Sequence, residues 1–574
     1  MVVEGIRRRL TIGVVGAGGD GVVALGSFLQ RLAASQGYFS QMPRFYGAQI
    51  RGGGSAVKLG LDAESISMPQ DTLDILLCFS WERYLEFRQE LDVRPDTLVI
   101  CENGTAKGIT LPQKTFQIGF SGISRDVTGS PRNKNIVALG LLARIVAFPR
   151  NRLRKAIDED EELHLLKENM KAIEAGESLF LQMSFPELRL SQAYDDSAKL
   201  IIHGNAAMAR GAIRAECQAF FGYPITPAAE IMQEMQKELS GGKGTFLQAE
   251  DEIAAAGLVV GSSLTGTKSM TSTSGPGLDL MTEMMGLASA AEIPMVIIDV
   301  QRCGPSTGIP SKSEQSDLNH AIYGGHGDAP RVVIAPYDIE GCYRLTIESF
   351  NIAHQFQTPV IVLSDQWLGQ TFVAVNEVLF DTKLPVSGTK RPDAKDFGDY
   401  HRYRLTEDFI SPLAAVGEEG LVYQTTGLSH TENGSPTFDS MNHQKLHEKR
   451  WGKLALLCHR HELVKLFGRE ECASGIVTWG SSAQAVLETI KDVGLQDEVR
   501  VCVPELIHPL PARVERFLES LDRLLVIEMN YSGQMYHYLG SQIDLPEKTE
   551  VYCRAGGTPF STKELTEPIA KMVR

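Results

Sequence analysis

Leu10-Thr-Ile-Gly-Val-Val15 is a short β-rich run, GAGGDG follows at 16–21, and a helical pattern extends from Val22 to Gln36. A strand that passes through a glycine turn straight into a helix is the opening half of a crossover. Repeated crossovers build sheets flanked by helices. The same alternation recurs along the chain. Thr11–Val15, Ile75–Phe79 and Thr97–Cys101 read as strands of a first block that closes with a charged amphipathic helix near Asn151–Gly176. This block, 1–185, is expected to be an α/β domain with a mainly parallel sheet. Residues 186–199, PELRLSQAYDDSAK, lack apolar periodicity and read as a linker.

A second α/β block covers 200–384, with strands expected at Phe220–Tyr223, Lys268–Thr271, Met295–Val300, Val332–Ile334 and Val360–Leu363. Helices begin near Asn205, Pro227, Asp251 and Gly277. Residues 385–450 are rich in Pro, Gly, Asp and His and read as a long extended connection. The last block, 452–574, has strands at Ser474–Thr478, Val499–Val503, Leu524–Glu528 and Thr549–Cys553. The fold class is therefore α/β, in three domains. A length of 574 residues suits that count.

The glycines Gly16, Gly18 and Gly21 fit G-x-G-x-x-G, and the same letters contain Gly19-Asp20-Gly21. A dinucleotide site also needs an acid about 20 residues on, to hold a ribose hydroxyl. That region reads GYFSQMPR, without Asp or Glu. A Gly-Asp-Gly diphosphate–magnesium site needs an Asn a few tens of residues later, and none occurs between 1 and 102. Two readings remain: anion or partner binding at a helix N-terminus, or a tight strand–helix turn. In YGAQIRGGG at 46–54, Arg51 among glycines can reach a carboxylate or phosphate, or can be a solvated turn residue.

Charged residues make up 22% and apolar residues 43%, as in a globular protein with large cores. The net charge of −15 and the lack of a basic cluster argue against nucleic acid. The nine cysteines are scattered, with no C-x-x-C pair. This is the pattern of reduced thiols in a cytoplasmic protein, and it argues against a metal or iron–sulfur site held by this chain. Arg7-Arg8-Arg9 precedes an apolar stretch, but glycines break that stretch, so it reads as a strand rather than a secretion signal. The apolar run Ile136–Phe148 contains Arg144 and is too short to span a bilayer, so no membrane partner is expected.

Candidate chemistry gathers in the second block. In GYPITP, 222–227, Pro224 and Pro227 fix the backbone around Thr226. In QAEDEIAAAG, 248–257, three acids precede an apolar helix start, where a helix dipole accounts for two of them. TSTSGPG at 271–277 opens another helix with small residues. In PMVIIDVQRCGPSTGIP, a buried strand ends in Arg302 and a glycine-rich loop. Functional groups of open α/β sheets gather at such strand ends.

This succession resembles the α subunit of the 2-oxoacid:ferredoxin oxidoreductases with the γ region fused at its N-terminus. The first domain is similar to the γ region, through the glycine turn, YGAQIRGGG and KENMKAIEAG. The second resembles the pyrimidine-side thiamine-diphosphate domain. The third resembles a transketolase C-terminal-type domain, through VTWGSS, IEMNYSGQ and RAGGTPFS.

The resemblance implies an oxidoreductase that decarboxylates a 2-oxoacid, passes electrons to ferredoxin and transfers the acyl group to coenzyme A. It implies a β subunit that holds the diphosphate, Mg2+ and a [4Fe–4S] cluster, and an (αβ)2 assembly. Tyr223, Pro224, Ile225, Thr226 and Glu252 would face the cofactor. Glu252 would hydrogen-bond its pyrimidine nitrogen, with Glu250 and Asp251 as alternatives. Thr226 would bond the substrate, and Arg302 would pair with its C1 carboxylate. Arg51 is a candidate for a second carboxylate or for coenzyme A.

Many relatives carry Thr-Glu-Asp-Gly-Ile/Val-Ser-Pro-Arg in the long connection, where this chain has Phe409 for the Gly and Leu413 for the Arg. The γ–α fusion and the loop sequence favour 2-oxoglutarate, with pyruvate and branched-chain 2-oxoacids as alternatives. The rival classes are a non-catalytic scaffolding subunit, a γ-type dinucleotide dehydrogenase and an aryl-pyruvate relative. The chain ends at KMVR without the ferredoxin-type cysteine motifs of the last.

Overall fold

A computed structural model describes residues 6–47, 53–105, 115–158, 167–195, 197–380, 384–393 and 396–573. Arg51 lies outside them. The chain divides into two compact units, 1–202 with 371–381, and 203–370 with 382–574.

The first unit is built on a nine-stranded sheet. Arg9–Ala17 runs parallel to Ile75–Cys78, and the parallel order continues through Leu98–Glu102 to Thr115–Ile118. On its other side Arg9–Ala17 is antiparallel to Gly54–Asp62, which pairs antiparallel with Phe39–Met42 and Arg44–Tyr46. The sheet is thus mixed, not mainly parallel. The helix Trp81–Glu86 connects Ile75–Cys78 to its parallel neighbour Leu98–Glu102, whereas among the described residues no helix separates Phe39–Met42, Arg44–Tyr46 and Gly54–Asp62, which pair antiparallel.

Phe372–Val375 joins the same sheet between Phe39–Met42 and Leu200–Ile202. Sequence order places this strand in the second block, but its hydrogen bonds place it in the first unit. The stretch 186–199, expected as a linker, is packed. Leu188 and Leu190 are buried, and backbone bonds tie Arg189 and Ser191 to Arg7.

The glycine turn is closed from within. The Asp20 carboxylate accepts the Ala17 N–H at 2.8 Å and pairs with Lys134 at 2.8 Å. Gly21 has φ +73°, and a Cβ there would lie 2.3 Å from the Asn135 side chain. The geometry is that of a tight crossing filled by its own side chains.

The second unit holds two sheets. The first has seven strands in the order Thr245–Gln248, Ala219–Gly222, Ser269–Thr273, Met295–Gln301, Pro359–Asp365, Val332–Ile334, Leu506–His508. Six run parallel and the last is antiparallel. The second has five strands, from Val464–Phe467 through Arg500–Pro504, Ser474–Thr478 and Arg523–Glu528 to Lys548–Cys553. Continuous apolar runs such as MVII in Met295–Gln301 suit strands covered on both faces. One apolar core, including Ile297, Leu363, Trp479, Phe517 and Val526, serves both sheets.

The connection 385–450 is not wholly extended, for the helix Ser440–Ala455 starts inside it. Lys449 and Lys453 on that helix reach the buried Glu292 at 2.6 and 3.0 Å, and Arg402 donates to the Glu292 carbonyl at 2.6 Å. Burial alone would raise the Glu292 pKa, but the cations around it hold it well below the usual carboxylate range. Among the described residues no helix is long and apolar enough to cross a membrane.

Candidate active site

The parallel order of the seven-stranded sheet sends the ends of several strands to one edge. Ala219–Gly222 leads into Tyr223-Pro-Ile-Thr226, and Thr245–Gln248 leads into the three acids. Ser269–Thr273 leads into Ser274-Gly-Pro-Gly277, and Met295–Gln301 leads into Arg302. The sequence motifs of the second block therefore converge, as the general rule for open α/β sheets demands.

Tyr223 and Thr226 are exposed at this edge, and Arg302 is only 7% exposed. Arg302 Nη1 donates to the Thr226 carbonyl oxygen at 2.7 Å, while its Nε is buried without an acceptor among the described residues. Part of the guanidinium is thus spent on holding the Pro224–Pro227 turn, and the rest is left to bind. Burial lowers the Arg302 pKa, and the carboxyls of Asp317 and Asp299 oppose that shift.

The three acids have three different environments. Glu250 is exposed. Asp251 is the N-cap of the helix Glu252–Leu264 and accepts the Ala254 N–H at 2.8 Å. Glu252, the first helical residue, is buried. Space for its carboxyl exists because position 277 is glycine: a Cβ there would lie 2.7 Å from Glu252 Oε1 and 2.0 Å from Thr273 Oγ1. This small-residue cradle beside a buried acid fits the aminopyrimidine end of thiamine diphosphate, which needs both a carboxyl partner and close backbone approach.

A cleft of about 540 Å³ opens beside Arg302. Its walls come from Gly275 and Pro276, from the loop at Gly304, and from Asn530, Tyr531 and Gln534 of the last block. Two residues that the sequence reading passed over hold these walls together. The Glu314 carboxylate accepts the Gly304 and Gly556 N–H groups, each at 2.9 Å, and so joins the QRCGP loop to RAGG. Gln315 is fully buried; its Nε2 donates to the Trp479 carbonyl at 2.7 Å, and its Oε1 accepts from Ser482 and from the Met529 N–H. VTWGSS and IEMNYSGQ thus serve as anchors for the cleft wall.

Asp299 and Asp317 beneath Arg302 were also not singled out. Asp299 is fully buried, and with both groups deprotonated neither of its oxygens meets a donor among the described residues. Protonating one carboxyl supplies that donor. Burial, reinforced by the neighbouring Asp317, pushes the Asp299 pKa well up, and burial pushes Asp317 up to about 7. Both carboxyls therefore favour their protonated forms more than solvated ones do. The only signal in the sequence was the polar run Ser313-Glu-Gln-Ser-Asp317 ahead of the helix Leu318–Tyr323.

The two departures in the long connection have distinct structural contexts. Phe409 adopts φ +60°, the conformation glycine takes freely, and its ring lies against Gly452. Leu413 is buried, with its carbonyl accepting from Arg391 Nη1 at 2.9 Å.

Comparison with known proteins gives the family. The model "Pyruvate ferredoxin/flavodoxin oxidoreductase" matches residues 11–179. The model "Pyruvate flavodoxin/ferredoxin oxidoreductase, thiamine diP-bdg" matches residues 210–449. The 2-oxoglutarate synthase subunit KorA of Methanothermobacter marburgensis is 35% identical over 379 residues, 65% of this chain and 98% of that protein. The chain belongs to the 2-oxoacid:ferredoxin oxidoreductase family.

The 2-oxoacid:ferredoxin oxidoreductase subunit alpha of a Sulfolobus species aligns over 99% of this chain and 97% of its own length, at 28% identity. The structure of the 2-oxoglutarate:ferredoxin oxidoreductase of Magnetococcus marinus, with 2-oxoglutarate, coenzyme A and succinyl-CoA bound, superposes with TM-score 0.91. It is 33% identical and covers 99% of this chain and all of that one. This oxidoreductase subunit therefore carries the thiamine-diphosphate-type region at 210–449 and, in the same chain, the other family region at 11–179.

Proposed function

We propose that this chain is the α subunit, with a fused γ-type region, of a coenzyme-A-dependent 2-oxoglutarate:ferredoxin oxidoreductase that yields succinyl-CoA and CO2. The observation that carries this reading is the Arg302–Thr226 contact at the motif-bearing edge of the sheet, in a chain that aligns end to end with an enzyme of that activity. Thr226 bonds the substrate, and the remaining donors of Arg302 take the C1 carboxylate, a planar match that Lys does not provide. Glu252 holds a proton at the pyrimidine nitrogen, as a buried general acid–base group. Tyr223, Pro224 and Ile225 flank that ring. Bound thiamine diphosphate supplies the electron sink for decarboxylation. Arg51 takes the second carboxylate or coenzyme A.

A β subunit supplies Mg2+ and the [4Fe–4S] cluster, and ferredoxin receives the electrons in the cytoplasm. Exposed apolar side chains on and near the Glu252 helix, including Ile253, Leu258 and Leu280, suit contact with that partner. The three-domain division into 1–185, 200–384 and 452–574, joined by 385–450, belongs to this reading. Leu413, where many relatives have Arg, favours a second reading, in which pyruvate or a branched-chain 2-oxoacid is preferred.

The test is anaerobic co-production with the β partner, followed by coenzyme-A-dependent reduction of a low-potential dye. 2-Oxoglutarate, pyruvate and 3-methyl-2-oxobutanoate are compared by kcat/KM. Preference for 2-oxoglutarate is expected. Preference for another acid keeps the reaction and discards the substrate. No reduction with any of them, in a complex holding cofactor and cluster, discards the reaction.

A further inference from the structure

Another cleft of the second unit, about 370 Å³, is lined by Glu283, His326, Asp328, His443, His447 and other residues. His443 and His447 are four residues apart on the helix Ser440–Ala455, so both lie on one face. Their Nε2 atoms are 3.2 Å apart, and their rings are edge to face, with centroids 4.6 Å apart at 84°. Two Zn–N bonds of about 2.0–2.1 Å in a tetrahedral arrangement set their nitrogens about 3.3 Å apart.

His443 Nδ1 lies 3.2 Å from Ser429 Oγ. A proton donated there leaves Nε2 with a lone pair, as a metal-ligating histidine requires. His447 Nδ1 carries the proton when Nε2 ligates, and among the described residues it is buried without an acceptor, which makes His447 the weaker ligand of the two. Arg450 repels a cation, and the carboxylates of Glu283 and Asp328 in the same cleft offset that charge.

We propose that His443 and His447 bind a divalent transition cation of the Zn2+ class through their paired Nε2 atoms. Among the described residues no three His, Cys, Asp or Glu side chains form a ready ligand set, so water completes the coordination. Imidazole ligands and an open shell select Zn2+, Ni2+ or Cu2+ over Mg2+.

The test is equilibrium dialysis of the tag-free complex against Zn2+, with bound metal counted by elemental analysis. The comparison includes His443→Ala and His447→Ala, each shown by its melting temperature to be folded. One Zn2+ per chain is expected, with affinity falling about 10–100-fold in either variant. Absence of stoichiometric binding, or equal binding in wild type and both variants, overturns the proposal and leaves a single N–H···N bond between the rings.

Discussion

Arg302 Nη1 donates to the Thr226 carbonyl oxygen across 2.7 Å, and so ties together the ends of two strands that are not neighbours in their sheet. Ser269–Thr273 lies between them. The bond fixes the substrate threonine of the proposed reaction relative to the proposed carboxylate-binding arginine, and makes the two a single unit.

Arg302→Lys keeps the charge and removes the fork. One ammonium cannot serve both the Thr226 carbonyl and a carboxylate in the same geometry. The kcat/KM for the 2-oxoacid is expected to fall about 100-fold, with the melting temperature nearly unchanged. Steady-state kinetics on the complex with β checks this, and a fall below about threefold removes Arg302 from the site.

Glu252→Gln keeps the shape and removes the proposed proton-transfer group. Turnover is expected to fall about 100-fold or more, while the exposed Glu250→Gln stays within about threefold of wild type. Single-turnover decarboxylation of both variants separates them. Reversed behaviour reassigns the role to Glu250.

Gly277→Ala puts a methyl group where Thr273 and Glu252 already stand, at 2.0 and 2.7 Å. Overpacking of this kind costs about 1–3 kcal/mol. Both the melting temperature and the affinity for thiamine diphosphate should drop, as scanning calorimetry and titration will read. An unchanged cofactor affinity separates Gly277 from the cofactor site.

Asp317 imposes a pH dependence on stability. Its folded pKa is raised to about 7, against about 3.9 in the unfolded chain. Between those values the native state binds the extra proton, so its contribution to stability is full below about 4 and is lost as pH rises through 7. Asp317→Asn should flatten this part of the curve, by an amount on the order of 1–3 kcal/mol between pH 5 and 8. Denaturant unfolding of the isolated chain at several pH values measures it. Identical slopes would show that burial does not raise the Asp317 pKa.

Strands dense in Val, Ile and Leu were legible directly. Met295–Gln301, Val332–Ile334 and Ser474–Thr478 lie within a residue of where their composition places them. Thr245–Gln248 was not seen, because an exposed edge strand shows no buried face. Phe372–Val375 and Leu506–His508 are short, and only pairing with distant strands makes them strands. The helix Ser440–Ala455 was hidden because its buried face carries Lys449, Arg450 and Lys453, which read as polar until Glu292 is known to meet two of them.

By itself the sequence determined the α/β class, the glycine turns, and the motifs that mark the strand ends, because those features depend on near neighbours and on periodicity. Tertiary structure alone decided which acid of Glu250-Asp-Glu252 is buried, and that burial raises the Asp299 and Asp317 pKa values. It also decided that Glu314 and Gln315 fasten the cleft to residues as much as 242 positions away. Those outcomes rest on desolvation and on hydrogen bonds between remote segments. No local pattern encodes these, because the groups meet only after the sheets have formed.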